Sequence, residues 1–201
     1  MGELPFLPGA TTLGVIAKDA VVLASEKRVA YGYLVLSKAG KKVFKITDKT
    51  GAACAGLVAD MQILTRQVAA YATLHTLDRS RNSSVASVGK IMANILFERR
   101  LFPLLTQTII GGMDAKGPSM YVLDPLGSLL PDKYASVGSG SEIAMGILES
   151  GYKDNLTVEE AKELVLRSIK AGVARDVQSG DGADFLVISA NGAHEESLNF
   201  K

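Results

Sequence analysis

Two hydrophobic periods take turns along this chain, and the order of their blocks limits the fold more than any single motif. Strand-like runs cover residues 11–17 and 20–26, with Lys18-Asp19 as a tight turn between them. Residues 33–36, 43–46 and 52–57 continue the strand block, the last made almost wholly of small side chains that let a neighbour approach the backbone. The period then changes. From Asp60 onward Met61, Leu64, Val68, Tyr71, Ala72 and His75 fall on one face of a helix. After Ser84 as an N-cap, Val88, Ile91, Met92, Ile95 and Leu96 mark the inward stripe of a second helix, expected to run until Pro103.

Strand patterns resume over 104–110 and 120–123, with Gly111-Gly112 and residues 114–118 expected to separate them, and Asp124-Pro-Leu-Gly127 turns the chain toward 134–137. Gly138-Ser-Gly-Ser141 leads into a helix near Glu142, and Thr157-Val-Glu-Glu160 is a capping box for another that buries Val158, Ala161, Leu164, Val165, Ile169 and Val173 and ends near Arg175. A strand over 184–189, the two-residue turn Asn191-Gly192 and a polar closing strand form a final hairpin. Strands, two helices, strands, two helices and a hairpin spell an α+β domain, in which two separate helix blocks can cover two faces of stacked sheets. No repeat or linker divides residues 10–201, so one domain is expected, preceded by a leader over 1–9 that Pro5 and Pro8 keep extended.

Composition narrows the function. Lys plus Arg number 22 against 21 Asp plus Glu, a balance that offers no electrostatic case for nucleic acid or a membrane surface. Cys54 is the single cysteine, so no internal disulfide or cysteine-based zinc site can form, and a small buried residue in a reducing compartment is expected. No signal peptide and no run of roughly 20 apolar residues is present, which points to the cytoplasm. Gly138–Ser141 could cradle an anion on backbone N–H groups, but no full glycine-rich fingerprint accompanies it, and no cofactor or metal is expected.

The stretches Gly9-Ala10-Thr11-Thr12-Leu13-Gly14, Glu26-Lys27-Arg28, 37–42, Ala53-Cys54-Ala55-Gly56, Gly138–Ser141 and Arg175-Asp176 to Gly182, in this order and spacing, together resemble a proteasome β subunit of the simple archaeal kind. The resemblance implies the four-layer αββα sandwich of N-terminal-nucleophile hydrolases. It also implies threonine endopeptidase chemistry, in which a Gly-Thr bond is cut autocatalytically and the exposed threonine attacks peptides, its own amine and a lysine serving the proton transfer. Here the nucleophile's position falls on Ala10, whose methyl has no oxygen. The resemblance assigns Lys42 as the active-site lysine and Glu26 as its carboxylate partner, where the family has the shorter aspartate. Ser139, Asp176 and Ser179 match the net around the N-terminal amine, and Gly56 the oxyanion donor. Ala30 matches the position whose backbone pairs with substrate, and Val29, Cys54 and Val58 the walls of a small apolar pocket. Implied partners are proteasome α subunits, other β subunits in a seven-membered ring contacting through helices, unfolded polypeptides, and a regulatory ATPase acting through the α ring.

From the residues alone, Thr11 and Thr12 read as β-branched strand residues, Lys42 as one of a basic surface run, and Asp176 to Gly182 as a helix end with a glycine turn or a cation loop through Asp176 or Asp181. Two accounts of Ala10 stand, an engineered alanine or a natural subunit that accompanies active siblings. Three functions follow: a β subunit that lacks its nucleophile, a purely structural ring protein, or an independent amidohydrolase of the same fold, which would need a free Thr, Ser or Cys terminus.

Overall fold

The computed structural model describes residues 9–200, so the leader expected over 1–9 lies outside the described residues except for Gly9. The first strands are β1 (Thr12–Ile16), β2 (Ala20–Glu26), β3 (Val29–Tyr31), β4 (Leu34–Ser37), β5 (Val43–Thr47) and β6 (Thr50–Gly56), followed by helices α1 (Val58–Arg79) and α2 (Val85–Glu98). Then come β7 (Thr106–Asp114), β8 (Gly117–Leu123), β9 (Leu130–Pro131) and β10 (Tyr134–Val137), helices α3 (Ser141–Gly151) and α4 (Val158–Val173), and the closing hairpin β11 (Gly182–Ser189) and β12 (Gly192–Asn199). Pairing is antiparallel throughout and gives two five-stranded sheets, ordered β10-β1-β2-β11-β12 and β5-β6-β7-β8-β9, with β3 and β4 as a separate ribbon.

Strand alternation explains the layering. All of β2 is buried, because Val22 and Ala24 point to a core shared with Ala144, Leu148, Leu164, Val165 and Ile169 of α3 and α4, while Val21 and Leu23 point the other way. The second sheet repeats this in β6, whose Ala52 and Cys54 meet Met61, Leu64 and Val68 of α1 and Met92 of α2, and whose Ala53 and Ala55 face Val21 and Leu23 across the inter-sheet core. Three apolar layers between four tiers make an αββα sandwich. Fully burying side chains such as Leu23, Leu64 and Ile109 supplies about 1.5–3 kcal/mol each, opposed by the entropy of ordering them.

Three expectations are corrected. Gly111-Gly112 does not break a strand: β7 runs through both, because Leu23 and Val21 occupy the space a side chain at Gly111 would take and the Lys49 carbonyl backs onto Gly112. The glycines serve close approach, not a turn. Tyr71 is not on the buried stripe of α1, which consists of Met61, Leu64, Thr65, Val68 and Ala72; Tyr71 is 55 % exposed, one step around the helix from Ala72, and His75 is half-buried. Finally, α2 ends at Glu98, well before Pro103, in successive tight turns at Arg99, Arg100 and Phe102.

The helix starts behave as their residues dictate. Ser84 Oγ accepts from Ser87 N at 3.1 Å, and Asp114 Oδ2 takes the Val85 N–H, so a residue of β7 shares the capping of α2. Both halves of the capping box at α4 are formed, Glu160 N to Thr157 Oγ1 at 3.2 Å and Thr157 N to Glu160 Oε2 at 2.8 Å.

Candidate active site

Topology brings the separated motifs to one end of the sandwich. Because β1 and β2 are antiparallel neighbours, with Thr12 opposite Ser25, the residues before β1 lie beside those after β2, and Glu26 N donates to the Thr11 carbonyl at 3.1 Å. On the other side of β1, Thr12 is opposite Val137, which sets the Gly138–Ser141 turn against the same place. Beside β2, Ala183 is opposite Glu26, which delivers the loop after α4 there as well. Ala10 sits where these loops meet, with its side chain at 0 % exposure in the inter-sheet core and its carbonyl accepting from Gly140 N at 3.1 Å.

Lys42 and Glu26 form an ion pair that is almost wholly buried. The Lys42 ammonium donates to Glu26 Oε1, to the Glu26 carbonyl and to the Arg28 carbonyl, so its three N–H groups match three acceptors. Glu26 Oε2 in turn accepts from Arg28 N at 2.6 Å and Gly180 N at 2.9 Å. Burial pulls the Lys42 ammonium down from its ordinary range and pushes the Glu26 carboxyl up, each opposed by the partner's charge. The complete set of donors and acceptors is that of the charged pair.

A second cluster centres on Asp176. Its Oδ2 accepts from Ser139 Oγ and from Ser179 Oγ, both at 2.6 Å, and its Oδ1 accepts from Gln178 N at 3.1 Å. With the Ser179 proton given to Asp176, the 2.9 Å contact between Thr11 Oγ1 and Ser179 Oγ must have Thr11 as donor. The Thr12 hydroxyl is likewise engaged, by Ser25 Oγ at 2.6 Å and the Cys54 carbonyl at 3.0 Å. Both hydroxyls near Ala10 are therefore buried and committed to the protein's own bonds.

A family profile described as Proteasome subunit matches residues 7–188. The chain belongs to the proteasome subunit family. It is of the β type: it is 52 % identical to Proteasome subunit beta 1 of Nitrosopumilus maritimus over 98 % of both chains. It is 50 % identical to Proteasome subunit beta 1 of Cenarchaeum symbiosum over 94 % of this chain and 97 % of that one. With Proteasome subunit beta 2 of Pyrobaculum aerophilum it shares 46 % identity over 94 % of each. Membership carries the sandwich fold, the hydrolase lineage and assembly with α and other β subunits.

The remaining positions that the family pattern singles out divide into two groups. Gly56 ends β6 at a φ of 127°, where the Leu105 backbone fills the room a side chain would need, so conformation and space both require glycine there. Ala30 lies opposite Val35 in the β3–β4 ribbon, and β3 has no second strand beside it among the described residues. Val29 and Val58 are half-buried, whereas Cys54 is fully buried against α1 and α2, accepting from Thr108 Oγ1. Burial pushes the Cys54 thiol up to about 12, which leaves almost no thiolate near neutral pH. Native protein should resist iodoacetamide and take up one label once unfolded, as read by intact mass; labelling of the folded chain would show that β6 opens. A cleft of about 600 Å³ lined by Lys49, Ser84, Met113, Asp114, Lys116 and Ser119 contains none of the clustered residues.

Three contributors, Arg28, Gln107 and Gln178, are assigned no role from the sequence. Arg28 bonds Asp181 Oδ2 through Nε at 2.9 Å and the Val177 carbonyl through Nη1 at 3.0 Å, bracing the loop that presents Asp176 and Ser179. Its guanidinium holds the Asp181 carboxyl below the usual range and employs the group considered for a cation. Asp181 itself has a φ of 69°, a conformation that aspartate tolerates better than most residues. Gln107 Oε1 accepts from Gly138 N at 3.0 Å and steadies the turn bearing Ser139, and Gln178 accepts from Gly9 N. Only Arg28 carries a signal in the sequence, its place in the Glu26-Lys27-Arg28 stretch; the others are identified by partners far away in sequence.

Proposed function

We propose that this chain is a wall-forming member of the β ring of a 20S core particle that cannot cut peptide bonds as written, because residue 10 has no attacking oxygen. The observation that supports this reading is Ala10, which the family pattern matches to the nucleophile, at the meeting point of the loops that carry the Lys42–Glu26 pair and the Asp176–Ser139–Ser179 cluster. Degradation of unfolded polypeptides falls to sibling β chains, with a regulatory ATPase feeding substrate through the α ring in the cytoplasm. In keeping with that setting, no helix among the described residues is long and apolar enough to cross a membrane.

In this reading Gly56 is the oxyanion donor, Ala30 the main-chain partner of an extended peptide, and Val29, Cys54 and Val58 the edge of its side-chain pocket. Cys54 is fully buried against α1 and α2, so it offers an incoming peptide no exposed wall. Retention of residues 1–9 is the direct test. Intact mass of purified particles should give a major species that still carries them, and a major species starting at Ala10 or Thr11, in particles without an active sibling, would sink the reading. Co-expression with α subunits should also place the chain in seven-membered rings by native mass; a chain that stays monomeric beside assembled α rings would refute the wall-forming role.

A further inference from the structure

We infer that Gln178 is a positioning residue for the peptide junction at residue 10, holding the segment before Ala10 through the Gly9 amide; the inference rests on the reading of residue 10 above. The Gln178 side-chain oxygen accepts the Gly9 N–H across 169 positions of sequence. Its mounting is not loose, because the Gln178 backbone N–H is held by Asp176 Oδ1, on the same carboxylate whose Oδ2 takes the Ser139 and Ser179 hydroxyls. The space that a side chain at residue 9 would need is filled by Ser139 and Gln178. On the far side of the junction the Ala10 carbonyl accepts from Gly140 N. The Gly9–Ala10 peptide is thus pinned at the N–H before it by Gln178 and at the carbonyl after it by Gly140.

This placement separates Gln178 from the rest of the cluster. Leader removal in a chain with a hydroxyl at residue 10 forms a bond from that oxygen to the Gly9 carbonyl carbon. The C–N bond to residue 10 breaks, the freed nitrogen takes the hydroxyl proton, and water then hydrolyses the ester. The first step depends on how the Gly9 peptide plane is held, which is a matter of orientation. Once Gly9 has left, Gln178 has lost the group it holds. Gln178 therefore acts on removal of the leader and not on the turnover of later peptides, whereas Lys42 acts on both.

Two measurements on assembled particles test this. In the chain as it stands, hydrogen exchange of the N-terminal segment followed by mass spectrometry should show the Gly9 amide exchanging about threefold to tenfold faster in Gln178→Met, which keeps the length but not the oxygen, and near the parent rate in Gln178→Glu. Unchanged exchange in Gln178→Met overturns the inference. In the Ala10→Thr background, Gln178→Met should slow leader removal by about threefold to tenfold and leave peptide hydrolysis by fully processed particles unchanged, with Gln178→Glu restoring the processing rate. Equal loss in both steps would make Gln178 a general structural support and overturn it. Should Ala10→Thr not process at all, the reading of residue 10 fails, and the exchange experiment decides the role of Gln178 by itself.

Discussion

Ala10→Thr, assembled with α rings, is expected to shed residues 1–9 and to hydrolyse small peptides, where the parent does neither. The substitution adds a hydroxyl and a methyl next to Thr11, whose side chain meets Ser179 and whose carbonyl accepts from Glu26 N. Once the leader leaves, the α-amine of residue 10, with a reference pKa near 8, becomes a proton acceptor suited to neutral pH. Loss of a nucleophile from a cooperating set costs on the order of a millionfold in rate, so its return is the largest change any single substitution here can produce. Glu26 sets the ceiling. Its longer carboxylate still reaches Lys42, but Glu26→Asp added to Ala10→Thr should raise the rate further if the shorter arm sets the lysine better. Intact mass and release of a fluorogenic peptide read the two outcomes. If the double variant in assembled rings neither processes nor cleaves, the surrounding residues are no longer a competent site, and the chain is a structural subunit whose loss of function extends beyond residue 10.

Lys42→Met should be the most damaging single change to folding, lowering stability by about 3–5 kcal/mol and Tm by roughly 10 °C, because it strands the Glu26 carboxylate with almost no access to solvent. Pairing it with Glu26→Gln should recover most of the loss, since the amide oxygen can still accept from Arg28 N and Gly180 N while no charge remains buried. Thermal unfolding at fixed protein concentration compares the three proteins. A double variant no better than Lys42→Met would mean that packing, not charge, dominates at this site.

The fold was legible where a local pattern has one physical cause. The short apolar run over residues 20–26, the capping box at Thr157 and the Asn191-Gly192 turn each lead to a single structure without reference to the rest of the chain. Gly111-Gly112 misleads because glycine signals both a turn and a close approach, and what decides between them here is Lys49, Val21 and Leu23, all distant in sequence. Tyr71 misleads because an amphipathic ring satisfies the helical period whether it lies at the edge of the stripe or within it. In the site, Lys42 and Glu26 are recognisable from their place in a family pattern, although the residues alone read as a basic run. Gln178 and Gln107 show no sign in sequence, since a lone glutamine acquires a role only from what faces it.

The way Glu26 is shared has a bearing on descent. Its carboxylate receives the N–H groups of Arg28 and Gly180 as well as the Lys42 ammonium, so three segments that fold independently of any chemistry are fastened at this one side chain. Natural selection acting only on the ability to fold and assemble would preserve Lys42 and Glu26 long after a lineage had lost its attacking hydroxyl. The pair is therefore a measure of how the chain folds, and is not by itself a measure of whether it cleaves peptides.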